Sequence, residues 1–171
     1  MKLQLLVAAV NQQVTSLAEK MNISSDAIII NQGSEFAFEE YEHKGRKITC
    51  YSFKERGVGL NRNNALLRAT SDIILFSDED IVYEGDYEEK VLAEFERHPK
   101  ADMILFNVDV ARDRATYHIS KYGRVRFYNC GRYPTYSFAI RRKKVHSANI
   151  TFSLLFGGGA KYSNGEDSLF L

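Results

Sequence analysis

Asp78-Glu79-Asp80 follows directly on the apolar run Ile73–Phe76 and Ser77. Two carboxylates spaced i, i+2 just past a buried strand can turn toward one cation. Hard oxygen ligands favour magnesium or manganese, which completes its shell with water and substrate phosphates. Acidic residues also open helices by meeting the positive end of the macrodipole, so the D-x-D spacing alone leaves both readings open. A second acidic pair, Glu166-Asp167, comes after Gly157-Gly158-Gly159 and Asn164-Gly165. It can cap a following helix or supply a carboxylate for proton transfer. Other chemistries lack their residues. There is no G-x-x-x-x-G-K-S/T loop, and Gly57-Val58-Gly59 lacks the third glycine of a dinucleotide fingerprint. His43, His98, His118 and His146 form no H-E-x-x-H or close pair, and no G-x-S-x-G elbow occurs.

The elements that must position these residues are readable from apolar patterning. Leu3–Ala9 is a continuous apolar run apart from Gln4, the pattern of a strand buried on both faces. Val14, Leu17, Ala18 and Met21 recur at helical spacing, with Asn22 as the stop, and residues 27–30 give a second buried strand. Residues 48–53 read as a strand, Leu60 to about Thr70 as a helix, and Ile73–Phe76 as another buried strand. Tyr87, Val91, Leu92 and Phe95 make one face of a helix that stops before Pro99, and residues 103–108 supply the next strand. Residues 125–128 and 135–140 are short strand candidates. Alternating β and α elements with apolar strands predict a three-layer α/β/α fold around a mostly parallel sheet, a Rossmann-like arrangement. Ligands of such sheets bind beyond the carboxyl ends of the strands, which here carry Asn11, Asn31-Gln32, residues 78–80 and residues 107–109.

At 171 residues, 44% apolar and 26% charged, the chain can bury roughly 70% of its unfolded surface and is expected to fold as a single domain. The longest apolar run is Leu5 to Val10, far short of the roughly 20 residues that span a bilayer, so no integral membrane protein is expected. Lys2 alone is too small a basic region for a signal peptide, and Cys50 and Cys130 lie far apart with no C-x-x-C, which fits a cytoplasmic protein. Net charge is +1 but unevenly spread: residues 1–111 carry 12 Lys/Arg against 19 Asp/Glu, and residues 112–146 carry 10 against 1. A basic segment of this kind can face a phosphorylated ligand, an anionic membrane or nucleic acid, or simply stay solvated. Helix-like residues begin after Asp167 and stop at Leu171 with no polar tail, so the native chain is expected to continue.

The segment GVGLNRNNALLRATSDIILFSDED, residues 57–80, resembles the family-2 glycosyltransferases, in which a loop and helix lead into a buried strand and the D-x-D. FGGGAKYSNGEDSLF resembles the same family's segment ending in Glu-Asp. The resemblance implies the glycosyltransferase-A fold, with residues 1–111 as the nucleotide-sugar half and residues 112–171 as the acceptor half. It implies metal-dependent, inverting transfer of a hexose from a UDP- or GDP-linked donor to an acceptor hydroxyl, with surface polysaccharide or lipopolysaccharide synthesis as the setting. Asp78 and Asp80 would hold Mn2+ or Mg2+ against the diphosphate, and Asp167 would be the general base with Glu166 beside it. Asn11, Asn31, Gln32, Arg56, Arg62 and Asp78 would meet the nucleotide sugar; Arg56 and Arg62 could instead hold a site carboxylate, or stand as an exposed loop arginine or a helix-start ion pair. Many relatives end the second strand in an aspartate where this chain has Asn31-Gln32, which leaves the identity of the base open. The partners expected are the nucleotide sugar and a glycan or lipid-linked acceptor, with no nucleic acid, and peripheral contact with the inner membrane face through residues 112–146. The alternative is a nucleotide-sugar-binding domain of the same fold without turnover. A sugar-phosphate nucleotidyltransferase would carry a glycine-rich basic loop after the first strand, and Asn11-Gln12-Gln13 lacks one.

Overall fold

The computed structural model describes residues 1–109 and 118–171. Its strands are β1 (Leu3–Val10), β2 (Asp26–Gln32), β3 (Ala37–His43), β4 (Arg46–Phe53), β5 (Ile73–Asp78), β6 (Met103–Leu105) and β7 (Phe138–Arg141). The helices are α1 (Val14–Lys20), α2 (Val58–Arg68), α3 (Tyr87–Arg97), α4 (Arg142–Ser147) and α5 (Glu166–Phe170). The strands form one sheet in the order β3-β4-β2-β1-β5-β7-β6. The central four, β4, β2, β1 and β5, run parallel; β3 is antiparallel to β4, and β7 is antiparallel to both β5 and β6.

Side chains alternate along β1 to build two cores. Leu3, Leu5, Val7 and Ala9 pack with Val14, Leu17 and Ala18 of α1 and with Val91 and Phe95 of α3. Leu6 faces the other side, where Ala65 and Leu66 of α2, Val145 of α4 and Phe170 of α5 cover the sheet. This is the expected α/β/α layering. Burial on both faces is why the central strands read as unbroken apolar runs. Helix α1 stops as expected at Asn22, which takes a φ of 54°. The Ile23 N–H then reaches the Ala18 carbonyl and the Asn22 N–H the Glu19 carbonyl, the paired bonds of a Schellman ending. Among the described residues no helix is long and apolar enough to cross a membrane.

Three local expectations are corrected, and one strand is added. Strand β3 has no counterpart in the sequence reading, because Phe38, Glu39, Glu40 and Glu42 of this edge strand are exposed and leave no apolar face to detect. Residues 125–128 form no strand; a turn spans 126–129, since the Arg126 N–H donates to Asn129 Oδ1 and the Asn129 N–H donates back to the Arg126 carbonyl. Strand β6 ends at Leu105 and is only half-buried. The stretch 135–140 begins as a 3-10 turn, Thr135–Ser137, and becomes a strand at Phe138. Residues 112–117 of the basic segment lie outside the described residues.

Candidate active site

A cleft of about 470 Å³ opens beyond the carboxyl ends of the parallel strands. Val10 and Gln32 end β1 and β2 at its floor, residues 78–80 follow β5 along one wall, Asn61 and Arg62 enter from α2, and Glu166 comes from α5. Helix α2 is held there by short-range packing. Gly57 precedes it with a φ of 117°, and the Val58 N–H donates to the Gly158 carbonyl at 2.9 Å. Asn63 pairs both its amide atoms with the Phe152 backbone, at 2.9 and 2.7 Å. A Cβ on Gly59 would lie 2.3 Å from the Ser153 carbonyl oxygen, so only glycine lets this helix meet that segment. Gly157 and Gly159 both take positive φ and lie against α2, which brings the loop before α5 onto the cleft.

Arg62 is buried, and its guanidinium joins the two acidic motifs. Nη2 donates to Asp78 Oδ1 at 3.2 Å, and Nη1 donates to Asp167 Oδ1 at 3.1 Å and Glu166 Oε1 at 3.4 Å. Residues 78 and 167, far apart in the chain, are therefore bridged by one side chain. Burial pushes the Asp78 carboxyl above its ordinary value, and the Arg62 charge opposes that shift. Tyr136 is likewise raised, first by burial and then by the charges of Asp78, Asp167 and Asp80. Asp80 is exposed at the cleft wall. Glu79 turns the other way, accepting from the Val10 N–H and from Gln12 Nε2 at 2.9 Å, and so ties the wall to the end of β1.

The remaining expected residues divide between cleft and scaffold. Gln32 is buried at the floor and donates through Nε2 to the Gly57 carbonyl at 3.0 Å. Asn31 lies beside the cleft. Its Oδ1 accepts from the Gln12 N–H at 3.0 Å, and its Nδ2 donates to the Gln12 carbonyl and to Ser52 Oγ. Asn11 is exposed, takes a φ of 53°, and donates its N–H to the Gln32 carbonyl. Arg56 is also exposed, with Nη1 on the carbonyls of Gln32 and Glu55. Phe156 stacks on the exposed ring of Tyr162 at 5.0 Å between centroids.

Sequence reasoning missed Asn61 and Thr135. Asn61 is buried and its Nδ2 bridges the carbonyls of Ala9 and Ile30, fastening α2 to β1 and β2. Its signal was available: three asparagines within residues 61–64 are a poor choice for helix propensity and point to tertiary hydrogen bonds. Thr135 donates its hydroxyl to Asp167 Oδ1, and nothing in its sequence context marks it.

Three carboxylates, of residues 78, 166 and 167, thus meet one guanidinium at the strand ends, with Asp80 exposed on the cleft wall beside them. Such a site attracts cations and holds carboxylates ready to accept a proton. Among the described residues no three or more His, Cys, Asp or Glu are grouped to hold a metal ion by themselves.

The fold matches solved structures over nearly the whole chain. S. aureus TarS 1–349 in complex with UDP-GlcNAc superposes with a TM-score of 0.69 at 18% identity, over 99% of this chain and 52% of that one. The same protein in complex with UDP gives 0.72 at 15% identity, over 99% and 54%. The mannosyltransferase PcManGT from Pyrobaculum calidifontis, in complex with GDP-Man and Mn2+, gives 0.61 at 15% identity, over 98% and 50%. The chain spans about half the length of these proteins. No curated protein matches the sequence significantly. The profile described as Glycosyl transferase family 2 matches residues 7–156, and with it the D-x-D, the α2 arginine and the sheet that carries them. This chain therefore belongs to glycosyl transferase family 2, on the glycosyltransferase-A fold.

Proposed function

We propose that the cleft transfers a hexose, with inversion, from a UDP- or GDP-linked donor to an acceptor hydroxyl, with the help of a divalent metal ion. The observation that carries this reading is the Arg62 bridge, which draws Asp78 and the Glu166-Asp167 pair to one place at the strand ends. The UDP-GlcNAc and GDP-Man bound by the structurally similar proteins support a nucleoside diphosphate sugar as donor.

The donor set fits Mn2+ or Mg2+: Asp78 and Asp80 offer hard oxygens on the cleft wall, with other ligand positions left to diphosphate and water. An acidic cleft also needs a cation to accept a diphosphate at all. When bound, the ion supplies positive charge for the leaving diphosphate. The chain's own residues do the rest. Gln32 and the Asn31-held loop of Asn11 to Gln13 receive the nucleoside, and Arg56 stands at the rim for phosphate. Asp167 takes the proton of the acceptor hydroxyl as its oxygen bonds to the anomeric carbon and the carbon–diphosphate bond breaks on the opposite face. Glu166 orients the acceptor. The acceptor itself is a glycan or lipid-linked glycan of a surface polysaccharide, met on the cytoplasmic side with residues 112–146 toward the inner membrane face.

Calorimetric titration with UDP, GDP, UDP-GlcNAc and GDP-mannose, with and without manganese, tests the donor site. Manganese-dependent binding of one nucleotide, weakened by Asp80→Ala, is expected. Asp167→Asn should bind donor as wild type does and lose transfer by about a hundredfold or more. Normal turnover in Asp167→Asn defeats the base assignment, and donor binding without any transfer defeats the enzymatic reading in favour of a binding domain.

A further inference from the structure

We infer that Thr135 is a positioning residue for the base, an inference that rests on the proposed role of Asp167. Thr135 is 0% exposed. Its hydroxyl donates to Asp167 Oδ1, and among the described residues that is its only hydrogen-bond partner. A buried hydroxyl without a partner is costly, so this contact fixes both side chains. The backbone around it is equally constrained. Thr135 opens the 3-10 turn that runs into β7, where the Phe138 N–H donates to the Thr135 carbonyl and the Ser137 N–H to Pro134. Strand β7 pairs with β5, the strand that ends in Asp78. The donor is thus carried by the sheet itself, whereas Asp167 sits in the first turn of a five-residue helix.

The geometry separates the work of the two carboxylate oxygens. Oδ1 of Asp167 accepts both from Thr135 and from Arg62 Nη1 at 3.1 Å. Its second oxygen receives neither and is left for an acceptor hydroxyl. Arg62 cannot fix this orientation alone, because the same nitrogen is shared with Glu166 and the rest of the guanidinium is drawn to Asp78. Thr135 supplies the second, independent direction that stops the carboxylate from rotating. Proton transfer depends on heavy atoms held within about 3 Å, so a freely turning carboxylate loses rate without losing donor affinity.

Thr135→Val keeps the shape of the side chain and deletes the donor; Thr135→Ser keeps the donor. The probe is release of UDP or GDP from UDP-GlcNAc and GDP-mannose with manganese, water serving as acceptor. In Thr135→Val, kcat is expected to fall about tenfold with the donor KM unchanged within twofold, and Thr135→Ser is expected to recover the wild-type rate. Wild-type kcat in Thr135→Val, a Thr135→Ser enzyme as slow as the valine variant, or a matching rise in KM overturns the inference. Asp167→Asn assayed alongside distinguishes the two failures. Turnover in that variant removes the base assignment, whereas an inactive Asp167→Asn beside a normal Thr135→Val removes the positioning role alone.

Discussion

One guanidinium stands among three carboxylates that would otherwise repel one another, which makes Arg62 the structural tie between the two acidic motifs. Asp78, Glu166 and Asp167 lie on β5 and α5, and no other described cation ion-pairs with any of them. Replacing Arg62 by methionine keeps a long apolar side chain, removes the guanidinium whose carbon lies 5.6 Å from the Phe152 ring centroid, and leaves the three negative charges uncompensated. The carboxylates are partly solvated, so the expected loss is about 1 to 3 kcal/mol, below the figure for a wholly buried pair. Acid should relieve it. Without Arg62 nothing opposes the burial that raises the Asp78 carboxyl, so Asp78 takes up its proton at a higher pH than in wild type, and the deficit in urea midpoint between Arg62→Met and wild type should narrow from pH 7 to pH 4. A deficit that stays constant over that range would mean that Arg62 acts through packing alone. The two acidic motifs were readable as separate carboxylate pairs, but their meeting at Arg62 was not. Arg62 read as a residue that meets the diphosphate or holds a site carboxylate, but not as one that joins both motifs, because no local pattern encodes a contact across 105 residues.

Among the elements, those buried on both faces were legible, while those defined by an edge or by tertiary contacts were not. β1, β2 and β5 appear as apolar runs because helices cover both their faces, and α1 ends where an asparagine can take positive φ. The hairpin of β3 and β4 is different: its outer strand mixes Phe38 and Tyr41 with Glu39, Glu40 and Glu42, and Lys44 and Gly45 form the turn with φ of 52° and 72°. Its inner face still joins the core. Burial pushes the Cys50 thiol up to about 12 and the Tyr41 hydroxyl to about 12. Between pH 9 and 12 the unfolded chain therefore releases protons that the folded chain keeps, and stability falls as pH rises through that window. Cys50→Ala should flatten this alkaline fall in a series of urea denaturations, whatever its effect on the level at pH 7. An unchanged slope would show that the thiol ionises equally in both states. Helix α2 offers the steric counterpart. Alanine at Gly59 gains helix propensity but meets the Ser153 carbonyl oxygen at 2.3 Å, so Gly59→Ala is expected to cost about 1 to 3 kcal/mol and to weaken donor binding. Gly85→Ala, with nothing within 4 Å of its new carbon, should unfold with the wild type in the same thermal melt. Equal melting of the two variants would refute the claim that close approach fixes α2.

Over the whole molecule, charge and apolar exposure are segregated, and the two coincide on the same loop. The basic segment that follows the acidic part of the chain includes Lys121, Arg124 and Arg126, all exposed, and among them stand Tyr122, Phe127 and Tyr128. Phe127 is 90% exposed and stacks edge-on against Tyr128, so these rings are not held in any core. Aromatic rings beside basic side chains suit the headgroup layer of an anionic bilayer, where each Lys or Arg contributes about 1 kcal/mol. The loop is also close to the proposed base: Cys130 Sγ lies 4.0 Å from the carbonyl oxygen of Ser168, next in sequence to Asp167. A membrane docked on this loop would therefore deliver a lipid-linked acceptor on the α5 side of the cleft, beside the proposed base. Vesicle sedimentation distinguishes this from a merely solvated basic surface. The chain should bind phosphatidylglycerol-containing vesicles and not pure phosphatidylcholine, and should dissociate as salt is raised. Arg124→Gln with Arg126→Gln should weaken partitioning by about thirtyfold, two charges at roughly 1 kcal/mol each. Phe127→Ser should weaken it without altering its salt dependence, since the ring contributes burial and no charge. Partitioning indifferent to lipid charge and to salt would rule out electrostatic docking through this loop, and the acceptor would then have to reach Asp167 from solution.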